Sequence, residues 1–170
     1  MKPVEPSIVE ATHVVRKLIK NPDEYQKNLK KVLKKSRLNR IEMANSTSYK
    51  DSWDELFHGS AKWFKTVIDP NKERILNKIF NNLFGINNLL GVSLKEAIIK
   101  YKNGTLPNKS RKMIDNIRKT LKQDPKPIVL TEDQKEFAVY DGWHTILAFA
   151  LENKKVHIFL GIGKFPYTYK

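Results

Sequence analysis

The chain has 170 residues, 40% of them hydrophobic, enough for one ordinary domain or two small ones that share a core, and too apolar for a disordered chain. It has no cysteine, which excludes disulfides, thiolate metal sites and thiol catalysis. No run reaches the roughly 18 apolar residues that a membrane span needs. The net charge of +14 lies wholly outside residues 127–170, which hold five basic and five acidic side chains; the first 126 residues carry 27 of the 32 basic and 13 of the 18 acidic ones. Arg16 to Arg40 has ten basic residues and two acidic, and Lys95 to Lys126 has ten and three. Such a field attracts polyanions, of which nucleic acid is the commonest, although solvated lysine-rich helix faces give the same composition.

From the N-terminus, Met1 to Lys20 mixes Lys, Glu and Arg through its apolar positions, unlike a secretion signal, so a cytoplasmic protein is expected. The first ninety or so residues read as helical. Ser7 can cap a segment in which Ile8, Ala11, Val15 and Ile19 recur at helical spacing. Asn21-Pro22-Asp23-Glu24 combines a cap, a first-turn proline and acids at the positive end of the dipole. The helix it starts presents Tyr25, Leu29, Val32 and Leu33 on one face. Lys27, Lys30, Lys31, Lys34 and Lys35 cover the rest, with Arg37 and Arg40 beyond. That apolar face is narrow and lacks Trp or Phe, which favours a core-facing helix over one lying on a membrane. The polar stretch Ser46 to Ser52 reads as a loop.

Trp53, Phe57, Trp63 and Phe64 follow, at spacings that favour core packing over stacking on bases. Asp69-Pro70 repeats the cap-plus-proline start and predicts a helix with Ile75, Ile79, Phe80, Leu83 and Phe84 on its buried face. Ser93-Leu94-Lys95-Glu96 fits a capping box, and Gly104 is placed to end that helix. A basic helix is expected from about Asn108 to Lys122, with Met113, Ile114, Ile117 and Leu121 inward, before Pro125 and Pro127 stop it. The period then changes. Pro127 to Leu130, Glu136 to Tyr140 and Val156 to Leu160 read as strands, and Trp143 to Asn153 as a helix between the last two.

Asp141-Gly142-Trp143-His144 lies where a strand becomes a helix. The first turn of that helix has unpaired amides and the positive end of the dipole. Gly142 permits a tight turn and a close backbone approach, and His144 can donate to a phosphate oxygen. Elsewhere, Gly161-Ile162-Gly163-Lys164 lacks the spacing and the following helix of a phosphate loop and reads as strand end and turn. His13, His58 and His157 show no metal-ligand spacing, and His157 reads as a sheet residue. Asp51, Asp54 and Glu55 read as acids at a helix start.

A basic helix, Pro127-Ile128-Val129-Leu130, a strand ending in Asp141-Gly142-Trp143-His144, an inner-face Ala148 and an apolar strand together resemble the ParB/sulfiredoxin superfamily over about residues 105–163. Pro107-Asn108-Lys109 with Ile114-Asp115-Asn116-Ile117 resembles the sulfiredoxin segment in which a lysine contacts nucleotide phosphate. The resemblance implies phosphate or nucleotide contacts from Lys109, Asn116, Gly142, Trp143, His144 and Thr145. It also implies a possible role for Asp141 as a Mg²⁺ ligand or general base, with His144 beside it in any catalysis. ATP, ADP or CTP with Mg²⁺ are the cofactors it suggests; zinc, haem and flavin are not expected. Two departures stand out. Trp143 replaces the reactive cysteine of sulfiredoxins, which excludes their chemistry, and Thr145 stands where most members carry arginine, which removes a fork of phosphate donors.

The expected fold is α+β: a basic helical region over residues 1–92 and a ParB/sulfiredoxin-like β-β-α-β unit over 93–170, packed with it as one globule. The expected function is binding of nucleotide or nucleic-acid phosphate, with Lys27, Lys30, Lys31, Lys34, Lys35, Arg37 and Arg40 as the DNA or RNA contact and no membrane partner. A Mg²⁺-dependent phosphotransferase or nuclease using Asp141 and His144 is one alternative. A non-catalytic protein-interaction regulator that keeps the fold is the other. The sequence leaves the oligomeric state open.

Overall fold

The computed structural model describes residues 1–10, 12, 57, 59–77, 91–121 and 126–164. Their strands are β1 (Lys2–Pro3), β2 (Lys62–Ile68), β3 (Arg74–Asn77), β4 (Ile128–Thr131), β5 (Glu136–Asp141) and β6 (Val156–Ile162). Their helices are α1 (Leu94–Lys102), α2 (Asn108–Thr120) and α3 (Trp143–Leu151), and residues 6–10 are also helical. The fold is mixed α+β. The six strands form one sheet in the order β1-β2-β6-β4-β5-β3, with β3 parallel to β5, β4 parallel to β6 and the other pairs antiparallel. Strands from before and after residue 92 therefore share one sheet.

The central strands follow from composition. Ile128-Val129-Leu130 is an unbroken apolar run, and every residue of β4 is buried, as expected of a strand covered on both faces. Its side chains alternate between two cores. Val129 joins Phe137, Val139, Ile158 and Leu160 under α1, α2 and α3. Ile128 and Leu130 join Ala138, Tyr140, Phe159 and Trp63 on the other face, with Val9 and Phe57 packed against them. Between β4 and β5, Thr131 Oγ1 accepts from the Gln134 amide at 2.9 Å and Asp133 Oδ1 from the Lys135 amide at 3.0 Å, so local side chains close the hairpin.

The expectation of helix across the first ninety residues is corrected by β1, β2 and β3. Trp63 and Phe64 sit in β2, where Trp63 lies across from Gly161 of β6. A Cβ on Gly161 would come within 2.9 Å of that indole and 2.7 Å of Leu130 Cδ1, so the missing side chain is what admits the ring. Asp69-Pro70 starts a turn instead of a helix. Lys72 N donates to Asp69 O at 3.0 Å and Asn71 N to Asp69 Oδ1 at 3.2 Å. Asp followed by Pro serves the first two positions of a β-turn as well as a helix start, and only the partners of the next residues decide between them. Ile75 is accordingly buried in β3; Ile79, Phe80, Leu83 and Phe84 lie outside the described residues. Near the N-terminus the helical stretch begins at residue 6, ahead of the expected Ser7 cap, and buries Val9 more deeply than Ile8. Met113 is 42% exposed and does not face inward with Ile114.

Residues 69–73 link the second strand of the sheet to the last. In a flat sheet those strands would lie about 19 Å apart, at about 4.8 Å per spacing. The link has a reach of only about 20 Å, at about 3.4 Å per residue, and part of it is spent on a turn. The sheet must therefore curl. The link rests on the C-terminal end of α3: Asn71 Nδ2 donates to Ala150 O at 3.0 Å and to Asn153 Oδ1 at 3.3 Å. The curl wraps α3, whose Ile146, Leu147, Ala148 and Ala150 are all within 3% of full burial.

Candidate functional site

The corner between β5 and α3 is built by three neighbours. Gly142 sits at φ +85°, ψ 23°, in the left-handed region, and is the residue from which α3 departs. A Cβ there would meet Pro127 Cα at 2.8 Å and Pro127 Cβ at 2.9 Å. Conformation and contact thus both call for glycine. Pro127 O in turn accepts from Phe159 N at 2.8 Å, which fixes the start of β4 against β6. The ladder between β4 and β5 slips at Ile128/Val129, just where Asp141 faces Ile128.

Ile146 N donates to Gly142 O at 3.1 Å and closes the first helical turn. No side chain caps α3, and its first turn has no acidic residue. The amides of Trp143, His144 and Thr145 precede the first intrahelical donor, at the positive end of the dipole. Asp141 Oδ1 accepts from the Gly142 amide at 2.9 Å, so a carboxylate already lies beside the helix start.

The expected side chains divide between surface and interior. Trp143 is 1% exposed and packs in the core beneath the three helices; its indole N–H has no hydrogen-bond partner among the described residues. Thr145 is 6% exposed. Neither side chain is presented to solvent at the corner. His144 is half-buried, with Nε2 closed off from solvent, so its ring is set into the corner rather than held out in water. Lys109 is exposed in the first turn of α2, and Asn116 is exposed further along the same helix. α2 packs on α3, and the C-terminal ends of the two are tied by Arg118, whose Nε and Nη2 both reach Glu152 Oε1 at 2.6 Å. Lys27, Lys30, Lys31, Lys34, Lys35, Arg37 and Arg40 lie outside the described residues.

Among the described residues, no group of three or more His, Asp or Glu side chains is placed to hold a metal ion, and no helix is long and apolar enough to cross a membrane.

A polar cluster that the sequence did not disclose joins the three helices. Tyr101 donates to Asp115 Oδ1, and Arg118 Nη1 donates to the Tyr101 hydroxyl at 2.6 Å while its other nitrogens hold Glu152. The guanidinium groups of Arg111 and Arg118 stand 5.9 and 5.5 Å from the Tyr101 ring centre. Burial, reinforced by the Asp115 hydrogen bond, raises the Tyr101 pKa, and the Glu152 hydrogen bond raises that of Arg118. Asp115 and Arg118 lie three apart on a helix, a spacing that could have signalled their pairing. Glu152, 34 residues further on, carries no such signal.

Comparison of the chain with protein-family models, characterised proteins and solved structures gives no match.

Proposed function

We propose that this chain binds the phosphate of a nucleotide or nucleic acid at the Gly142 corner, on a unit of ParB/sulfiredoxin-like plan. The observation that carries the reading is an uncapped, acid-free first turn of α3, aimed from a glycine that is held in the left-handed region against Pro127. Fixed amides at the positive end of a helix dipole are a ready anion site that needs no reorganisation on binding. The order of elements agrees with that plan: α2, a Pro-Ile strand, an Asp-Gly corner, and α3 with Ala148 at 0% exposure on its inner face.

The amides of Trp143, His144 and Thr145 are the principal donors in this reading. His144 lines the corner, and Lys109 supplies an ammonium from the first turn of α2. Asp141 opposes a bare anion, because like charges at contact distance repel. A nucleotide that arrives with Mg²⁺ turns the same carboxylate into a cation ligand, as hard oxygen donors suit that ion. The expected ligand is therefore a Mg²⁺-nucleotide rather than free phosphate.

Thermal shift with ATP, ADP and CTP, with and without Mg²⁺, tests this. A ligand bound only by the native state raises Tm, by about 2.7 kcal/mol of added stability at 100 times Kd. A shift that needs Mg²⁺ and is lost in Asp141→Asn is the expected result. Equal melting curves with and without every nucleotide would reject the site.

A further inference from the structure

We propose that the outward face of α2 is a docking surface for double-stranded DNA, with Lys112 and Lys119 meeting phosphates on either side of Asn116. This rests on the nucleic-acid arm of the reading above, but uses different residues from the Gly142 corner. Within α2 the exposed positions are 108, 109, 112, 113, 116, 119 and 120, which fall on one helical stripe. The opposite side is anchored: Ile114 is fully buried, and Arg118 and Asp115 are engaged with Tyr101 and Glu152.

Charge separates the two sides. The acids of α1 and α2 are Glu96 and Asp115. Glu96 pairs with Lys100 at 3.0 Å, and Asp115 serves Tyr101 and Arg118 at the seam between helices. Lys112 and Lys119 have no acidic partner among the described residues, and neither do Lys95 and Lys102 on the exposed side of α1. With Glu96 taken up by Lys100 and Asp115 by Tyr101 and Arg118, the remaining exposed lysines form a field of one sign that complements a polyanion. The apolar side of α2 is committed to the protein interior, so the helix has none left to bury in a lipid surface.

Geometry narrows the polyanion. Lys112, Asn116 and Lys119 stand at i, i+4 and i+7, so the backbone positions of the two lysines are about 10 Å apart along the axis. A helix of about 10–12 Å diameter fits the B-form major groove, which is about 12 Å wide. Lys112 and Lys119, on one edge of the stripe, then reach phosphates along one wall, while Asn116 and the exposed Met113 face the base edges. Five residues join α1 to α2, with Gly104 at φ +73° among them, so the two helices and their exposed lysines stay close together. The narrow major groove of duplex RNA does not admit a helix, so DNA is the partner selected.

Fluorescence anisotropy with a labelled DNA duplex, followed through a salt titration, tests the proposal on the full chain. The variant is Lys112→Gln/Lys119→Gln, and the control is Lys154→Gln/Lys155→Gln, which removes the same charge from an exposed loop elsewhere. The double variant on α2 is expected to weaken binding and to lower the log–log salt slope by about 1.8, two contacts at about 0.9 each, while the control stays near wild type. Equal losses in variant and control, unchanged binding by the α2 variant, or RNA duplex or polyglutamate competing as well as DNA would each overturn the assignment to α2. A wild-type chain that ignores DNA at low salt would overturn it together with the nucleic-acid arm of the proposed function. The nucleotide thermal shift reports on the corner independently.

Discussion

At Gly142, conformation and packing act on one atom. An alanine there would carry the strain of the left-handed region, about 1–2 kcal/mol, and would press its Cβ into the backbone of Pro127. Backbone is not a flexible neighbour, so overpacking adds about 1–3 kcal/mol. Gly142→Ala is therefore expected to cost about 2–4 kcal/mol, read by chemical denaturation. A loss under about 1 kcal/mol would mean that the corner relaxes and is not the fixed scaffold described. The neighbouring Trp143 shows what a buried polar atom does without a partner among the described residues. Its ring fills the core, and its N–H contributes only a desolvation cost there. Both residues belong to the Asp-Gly-x-His signature, yet the Trp143 side chain is spent on the core.

At the scale of elements, caps and turns explain where sequence reading succeeds and where it fails. Ser93 accepts from the Glu96 amide at 3.2 Å, and Asn103 and Gly104 end α1, as a local capping pattern should. The boundaries expected for β4, β5, β6 and α3 fall within two residues of those found, because each is a mainly apolar stretch bounded by Pro, Gly or polar turns. β2 and β3 were missed. Lys62–Ile68 mixes Lys, aromatic and β-branched residues without a clean alternation, and Asp69-Pro70 carries a signal shared by two structures. Helix-to-helix contacts were equally hidden. The Arg118–Glu152 pair, with each side chain about one-third exposed, is expected to show a coupling of about 1 kcal/mol in a double-mutant cycle with Arg118→Gln and Glu152→Gln. Strict additivity would show that the pair does not hold α2 to α3.

Over the whole molecule, Tyr101 stands where α1 meets the pair that joins α2 to α3, so its protonation bears on the entire fold. Its pKa is raised by burial and by the hydrogen bond to Asp115. A raised folded-state value means that the stabilisation is complete below the ordinary tyrosine pKa near 10 and is lost as pH rises through and above it. Denaturant midpoints are expected to fall above about pH 10 in the wild type and to fall less in Tyr101→Phe. Identical alkaline profiles for the two would remove Tyr101 from that transition. The same scale decides how the candidate site was legible. The glycine corner and its histidine could be read from four consecutive residues, Asp141 to His144. That Trp143 and Thr145 turn inward, that His144 Nε2 is shut from solvent and that Asp141 is engaged with the Gly142 amide could not.

Local chemistry alone determined the mixed α+β class, the β4-β5-α3-β6 run, the cap of α1, the glycine that opens α3 and the segregation of positive charge. Each depends on contacts within a few residues or on composition, both of which are present in the linear chain. Tertiary structure decided that β2 and β3 complete the sheet, that a short link makes it curl around α3, and that Asp115 and Arg118 of α2 meet Tyr101 of α1 and Glu152 while Lys112 and Lys119 stay outside. Those outcomes rest on pairings between residues far apart in sequence, where a strand edge or a half-exposed carboxylate is worth little until its distant partner arrives.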